Sequence, residues 1–307
     1  MRKSFPAAII SGINSTIQRI LLRGVPFSPG MRTINCLAAS KILQRTICRR
    51  SLAPLLRLLD ALEIKDRRRA IREHLIANAF SYRFYLWRKH AIAGAKPAHL
   101  EQHLRIQGLE SILNRDQPAT GIILVTAHFG VASLLPNLLE RTGENVLILS
   151  RGNSEKSFAK QPMGANRKTI SLEGSFLAQA FLEAKLAIQS GSFVLLLPDG
   201  RLGSNPKRHS FLDRTMIFQE GFAQLALATG APVVPVLATV NEKGFMTFNF
   251  QEPFDPGDSG LSRSERCHTI TAQYVDWLER CWRRDPGNIH HQWLKLFFEE
   301  TQKPSRR

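Results

Sequence analysis

Ile122 to Ala127, within Gly121-Ile-Ile-Leu-Val-Thr-Ala-His-Phe-Gly130, form an uncharged, almost wholly apolar run. A strand with one wet face alternates polar and apolar residues. A run that is apolar throughout must be covered on both faces, as parallel strands sandwiched between helices are. The run closes on His128, and a helical pattern follows over Val131 to Arg141. The strand therefore delivers one imidazole to its carboxyl end, where open α/β sheets bind ligands. On this stretch alone, a hydrogen-bonded core or turn histidine reads equally well.

From His103 onward helix and strand patterns alternate. Leu104 to Asn114 reads as a helix, and Val146–Leu149, Phe193–Leu197 and Val233–Leu237 as buried strands. Residues 173–190 and about 217–229 are helical between them. Phe245 to Phe250 alternates like an exposed or edge strand, and the tail returns to helix over roughly 262–282 and 289–300. The expected fold class is α/β, a largely parallel sheet flanked by helices, with an irregularity at Pro235.

The chain has 307 residues and a net charge of +17, and the charge is localised. Residues 1–100 carry 19 Lys/Arg against 4 Asp/Glu, whereas the remainder is nearly balanced. We divide the chain accordingly into a basic helical region, 1–100, and an α/β domain, 101–307. The basic region calls for a polyanion: an anionic membrane surface, a nucleic acid or an acidic carrier protein. Residues 7–23 place Ile9, Ile10, Ile13, Ile17, Ile20 and Leu21 at helical spacing with Arg19 and Arg23 at one end. That pattern suits an interfacial amphipathic helix or a helix packed on its own domain. Tyr82, Phe84, Tyr85 and Trp87 are interleaved with cations, but no nucleic-acid motif accompanies them, so no nucleic acid is expected. No stretch reads as a transmembrane helix. Cys36, Cys48, Cys267 and Cys281 lack metal-type spacing, and a reducing compartment is the simplest inference.

No Gly-x-Ser-x-Gly elbow, Walker loop, Gly-x-Gly-x-x-Gly or His-Glu-x-x-His occurs. What remains is His128 at one strand end and Asp199 at another, in Leu195-Leu-Leu-Pro-Asp-Gly-Arg201. Arg151 follows the second strand, and Arg167 lies in the loop beyond it. A histidine, an aspartate and arginines on one rim suit general-base attack at an acyl or phosphoryl centre. Singly, each also reads as a turn residue or a solvated charge.

Thr126-Ala-His-Phe-Gly130 resembles the His-Phe-Gly block of the bacterial lipid A biosynthesis lauroyl/myristoyl acyltransferases, which share the lysophospholipid acyltransferase-like fold. Ser150-Arg-Gly-Asn153 resembles the family's arginine-bearing strand end, and Arg167 falls near its functional arginine. Asp199 sits where the family has an aspartate after a buried strand. Glu220-Gly-Phe-Ala-Gln-Leu-Ala226 with Ala228-Thr-Gly-Ala-Pro-Val-Val-Pro235, and Pro286 with Gln292-Trp-Leu294, complete the likeness, which runs from about 103 to 298.

The resemblance implies transfer of a fatty acyl group from an acyl carrier protein or acyl-CoA thioester to a hydroxyl of a lipid or glycolipid. It implies a site at the cytoplasmic face of the bacterial inner membrane, to which this chain would attach peripherally. No cofactor or metal is implied. His128 would be the base, Asp199 its partner or a structural site residue, and Arg151 and Arg167 would bind acceptor phosphate through their bidentate forks, or the phosphopantetheine or acidic surface of the donor. One departure bears on catalysis. The family's motif places Asp or Glu five residues after the histidine, and here that residue is Ser133. A serine hydroxyl can orient an imidazole or touch substrate but carries no charge, and loss of a charged partner costs a catalytic histidine several powers of ten. Either Asp199 replaces the missing carboxylate, which requires it within about 6 Å of His128, or the chain is an impaired homologue that binds lipid or acts as a scaffold.

Overall fold

The computed structural model describes residues 27–46, 48–79, 103–114, 120–150, 166–172, 177–199 and 206–299. The amphipathic stretch 7–23, the aromatic cluster 82–87 and Arg151 lie outside the described residues.

Seven strands form one sheet: β1 (Leu104–Gln107), β2 (Ile122–Val125), β3 (Val146–Ser150), β4 (Arg167–Ser171), β5 (Phe193–Leu196), β8 (Val233–Val240) and β9 (Met246–Phe250). Their order is β1-β9-β8-β2-β5-β3-β4. The five from β8 to β4 are mutually parallel, while β9 runs antiparallel to β8 and parallel to β1. The fold is α/β with a mostly parallel sheet, as expected. All four residues of β2 are buried although successive side chains point to opposite faces, so helices cover both. A separate hairpin, β6 (Pro206–Phe211) and β7 (Arg214–Gln219), stands beside the sheet.

Several elements differ from the sequence pattern. Leu104 to Gln107 is a strand, because its backbone pairs with β9. The helix begins only at Leu109, after Gly108 at φ 72, where an added Cβ would lie 2.0 Å from the Phe250 carbonyl oxygen. β9 is interior, since β1 covers its far side. Residues 217–219 end β7 before the helix Gly221–Thr229 begins. Arg167 opens β4 and is not in a loop. Pro235 is accommodated within a continuous β8, opposite Val125.

The helices are α1 (Phe27–Ala39), α2 (Lys41–Arg45), α3 (Arg49–Ala61), α4 (Arg67–His74, continued by a π turn over Leu75–Ala79), α5 (Leu109–Leu113), α6 (Leu135–Glu140), α7 (Leu177–Gln189), α8 (Gly221–Thr229), α9 (Arg263–Arg284) and α10 (His291–Glu299). A capping box of Ser262 and Glu265 starts α9. α7 and α8 lie on the sheet, α9 packs on α8, and α3 packs on α10. Leu52, Leu55, Leu59, Leu75 and Ile76 join the same core as the sheet residues. Within residues 27–79 the basic region shares the core of the sheet, and the boundary placed at residue 100 lies outside the described residues. Among the described residues no helix is long and apolar enough to cross a membrane.

Candidate active site

Register brings the two site residues together. In the β2–β5 ladder Ile122 faces Phe193 and Val125 faces Leu196. Three residues further along each chain stand His128 and Asp199, so parallel strands deliver them side by side at the carboxyl rim. Asp199 Oδ1 lies 2.9 Å from His128 Nδ1, and Oδ2 accepts the His128 backbone N–H at 2.8 Å. An ionised carboxylate only accepts, so Nδ1 carries the proton and Nε2 holds the free lone pair. The imidazole is 37% exposed and the carboxylate 10%. The aspartate is thus shielded while the ring's outer edge faces solvent.

Three further features fix the pair. Gly130 turns the chain at φ 49, where a Cβ would meet the Ala238 carbonyl oxygen at 2.2 Å and Asn288 Oδ1 at 2.7 Å. Residues 128–130 run antiparallel to 288–290: His290 N–H donates to His128 O at 3.0 Å, Phe129 bridges Ile289, and Gly130 N–H donates to Asn288 O. Buried Asn288 is held in turn by both backbone groups of Val240. Finally, Trp293 meets the His128 ring edge-on at 4.7 Å. His290 stands 6.3 Å from that ring, and burial, with His128 next, pushes its pKa down to about 4. It is neutral at pH 7 and does not compete with His128 for the carboxylate's charge.

Tyr274 is a positioning residue that sequence reading missed. Fully buried on α9, its hydroxyl donates to Thr126 O at 3.1 Å and also meets the Asp199 backbone. It ties together the two strand ends that carry the pair. Burial, then the Asp199 charge, raises its pKa well above the ordinary phenol value, so it stays a donor. A tyrosine in a helical stripe gives no signal of this role before the helix is placed.

Of the other sequence candidates, Ser133 and Arg167 do not join the pair, and Arg151 lies outside the described residues. Ser133 is exposed on a 3-10 turn (Ala132–Leu134), and no hydrogen bond joins it to His128. Arg167 is a correction. It pairs in register with Val146, which is level with Phe193 and hence with Ile122, so it sits at the opposite rim. Six residues of chain, four-residue β2 and the segment after it, separate that level from His128, about 20 Å at extended spacing. Its buried guanidinium lies 2.9 Å from Glu140, while Nε and Nη2 have no hydrogen-bond partner among the described residues. A cavity of about 360 Å³, lined by Thr120, Val233 and Arg266 among others, also opens at the amino ends of β2 and β8, away from His128.

A histidine held by an aspartate at the carboxyl rim of a parallel sheet, its outer nitrogen unbonded among the described residues, has the arrangement that general-base chemistry requires. Over residues 37–296 the chain matches the family model described as bacterial lipid A biosynthesis acyltransferase, and it belongs to that family. The class is acyl transfer from an acyl donor to a lipid. Comparison with curated proteins gave no match. Among solved structures the chain is similar to the 1-acyl-sn-glycerophosphate acyltransferase PlsC of Thermotoga maritima, at 16% identity and a TM-score of 0.36, over 80% of this chain and 97% of that one.

Proposed function

We propose that the protein is an O-acyltransferase moving a fatty acyl group from an acyl-carrier-protein or acyl-CoA thioester to a hydroxyl of a lipid or glycolipid, at the cytoplasmic face of the inner membrane. The observation that carries this reading is the grip of Asp199 on both the ring and the backbone N–H of His128. Nε2 takes the acceptor's hydroxyl proton as its oxygen attacks the thioester carbonyl. The tetrahedral intermediate collapses, the carbon–sulfur bond breaks, and the imidazolium returns the proton to the departing thiolate. Asp199 stabilises the imidazolium in between, the task of a carboxylate beside a catalytic histidine. On this reading Asp199 takes the part that Ser133 cannot, and Arg151 binds phosphate of the acceptor or of the donor's pantetheine arm. The basic region supports peripheral attachment to anionic lipid or to the acidic carrier.

Purified protein, radiolabelled acyl carrier protein or acyl-CoA, and a panel of lipid hydroxyl acceptors test the proposal. Transfer abolished by His128→Ala and Asp199→Asn is the expected result. Transfer indifferent to His128→Ala would sink the mechanism. Acceptor binding without any transfer would favour the lipid-binding scaffold instead.

A further inference from the structure

A second cluster of reactive side chains lies outside the pair. His209 on β6, Glu220 at the amino end of α8 and His268 on α9 each bring one donor atom within 4.8 Å of the others. His209 and Glu220 are buried, and His268 is exposed. The two imidazoles stack at 4.9 Å between centroids and 14° between planes. His209 Nε2 is buried with no hydrogen-bond partner among the described residues, a costly arrangement for a polar nitrogen. Cys267, next to His268, is occupied otherwise: its Sγ lies 3.9 Å from the Glu220 main-chain oxygen.

We propose that His209, Glu220 and His268 form a binding site for a divalent transition-metal ion of the zinc type, with water in the fourth position. Two imidazoles and one carboxylate are a ligand set suited to zinc, with bonds of about 2.0–2.2 Å. Ligands at that length stand about 3.5 Å apart, so the donors must close by roughly 1 Å. Exposed His268 is the ligand with room to move. The ion would replace two closely stacked imidazoles and a buried carboxylate by three bonds.

The site joins three elements, β6, the start of α8 and α9. It would clamp the β6–β7 hairpin to α8 and α9, and Gln219, next to Glu220, donates its N–H to the oxygen of Pro198, the residue before Asp199. The metal is thus a buttress behind the aspartate's strand end, separate from the reacting groups.

Untagged full-length protein, stripped with EDTA and desalted, is titrated with Zn2+ by calorimetry and with Co2+ by visible absorption. One equivalent should bind, with the intense cobalt bands of a four-coordinate site and a rise in melting temperature. His268→Ala and Glu220→Gln should each weaken binding by about 100-fold or more, beyond the cost of losing a supporting residue. His268 is at the surface, so that variant retains the fold and decides the matter if Glu220→Gln does not fold. No stoichiometric binding, or binding undiminished in His268→Ala, overturns the proposal.

Discussion

Asp199→Asn is the substitution that isolates what the aspartate does. The side chains are nearly isosteric, but the carboxylate accepts two hydrogen bonds, from His128 Nδ1 and from the His128 backbone N–H. An asparagine has one accepting oxygen. If that oxygen keeps the backbone N–H, its NH2 faces Nδ1, which must then become the acceptor. The proton moves to Nε2, and the base is in the wrong tautomer. In the serine-protease triad the same change lowers turnover about 10⁴-fold with geometry intact. A fall of about 10³–10⁴ in kcat is expected here, about 4–5 kcal/mol of transition-state stabilisation. Folding should lose about 2 kcal/mol, the scale of one charge-assisted hydrogen bond, which a typical domain survives. Initial rates of thioester-dependent transfer, with circular dichroism on the same preparation, make the test. A folded variant within tenfold of the parent would refute the dyad.

Gly130→Ala should cost about 3 kcal/mol in urea unfolding, since it combines a left-handed φ with a 2.2 Å approach to the Ala238 carbonyl. Asn288→Leu strands the buried N–H and C=O of Val240 and should cost about 2–4 kcal/mol by the same measurement. His74 is buried, and burial, then His291, pushes its pKa down to about 3. Its folded pKa lies below the unfolded 6.5, so the stability present above 6.5 is lost as pH falls toward 3. Between pH 7 and pH 5 this amounts to about 2 kcal/mol. Glu73, raised to about 7 chiefly by burial, acts with the opposite sign. The measurable quantity is therefore the difference in pH slope between the parent and His74→Gln, read from urea curves at the two pH values.

The buried strands were legible because Ile122–Val125, Val146–Leu149 and Phe193–Leu196 carry no polar residue, which only a doubly covered position permits. β4 was not, because Arg167-Lys-Thr-Ile-Ser171 sits at the sheet edge, where polar side chains are tolerated. The β6–β7 hairpin escaped for a different reason. Its turn residues, Leu212 and Asp213, adopt φ 47 and φ 58 without the glycine or asparagine that usually marks such a turn. The pairing of His128 with Asp199 was suggested by two strand ends, but it became a distance only once the β2–β5 register was known. The misplacement of Arg167 has the same origin: a position in sequence does not say at which end of its strand a residue stands.

That register also changes what restoring the motif carboxylate would do. Viewed from sequence, Ser133→Glu repairs a missing partner and should raise activity. In the structure Nδ1 already faces Asp199 at 2.9 Å, and an imidazole has only one other nitrogen. A second carboxylate near the ring could meet Nε2 alone, the atom the acceptor hydroxyl reaches in the proposed mechanism, or stay in solvent, where Ser133 is exposed. In water a unit charge a few ångströms away is worth only about 1 kcal/mol. The expected outcome of Ser133→Glu is therefore a kcat unchanged within a few-fold, or reduced. Ser133→Glu combined with Asp199→Asn tells the two origins of the carboxylate apart. If Asp199 is the partner, the double variant stays as slow as Asp199→Asn; recovery of even tenfold in kcat would mean that the helix-borne position reaches Nδ1 and that the strand-borne aspartate is not required.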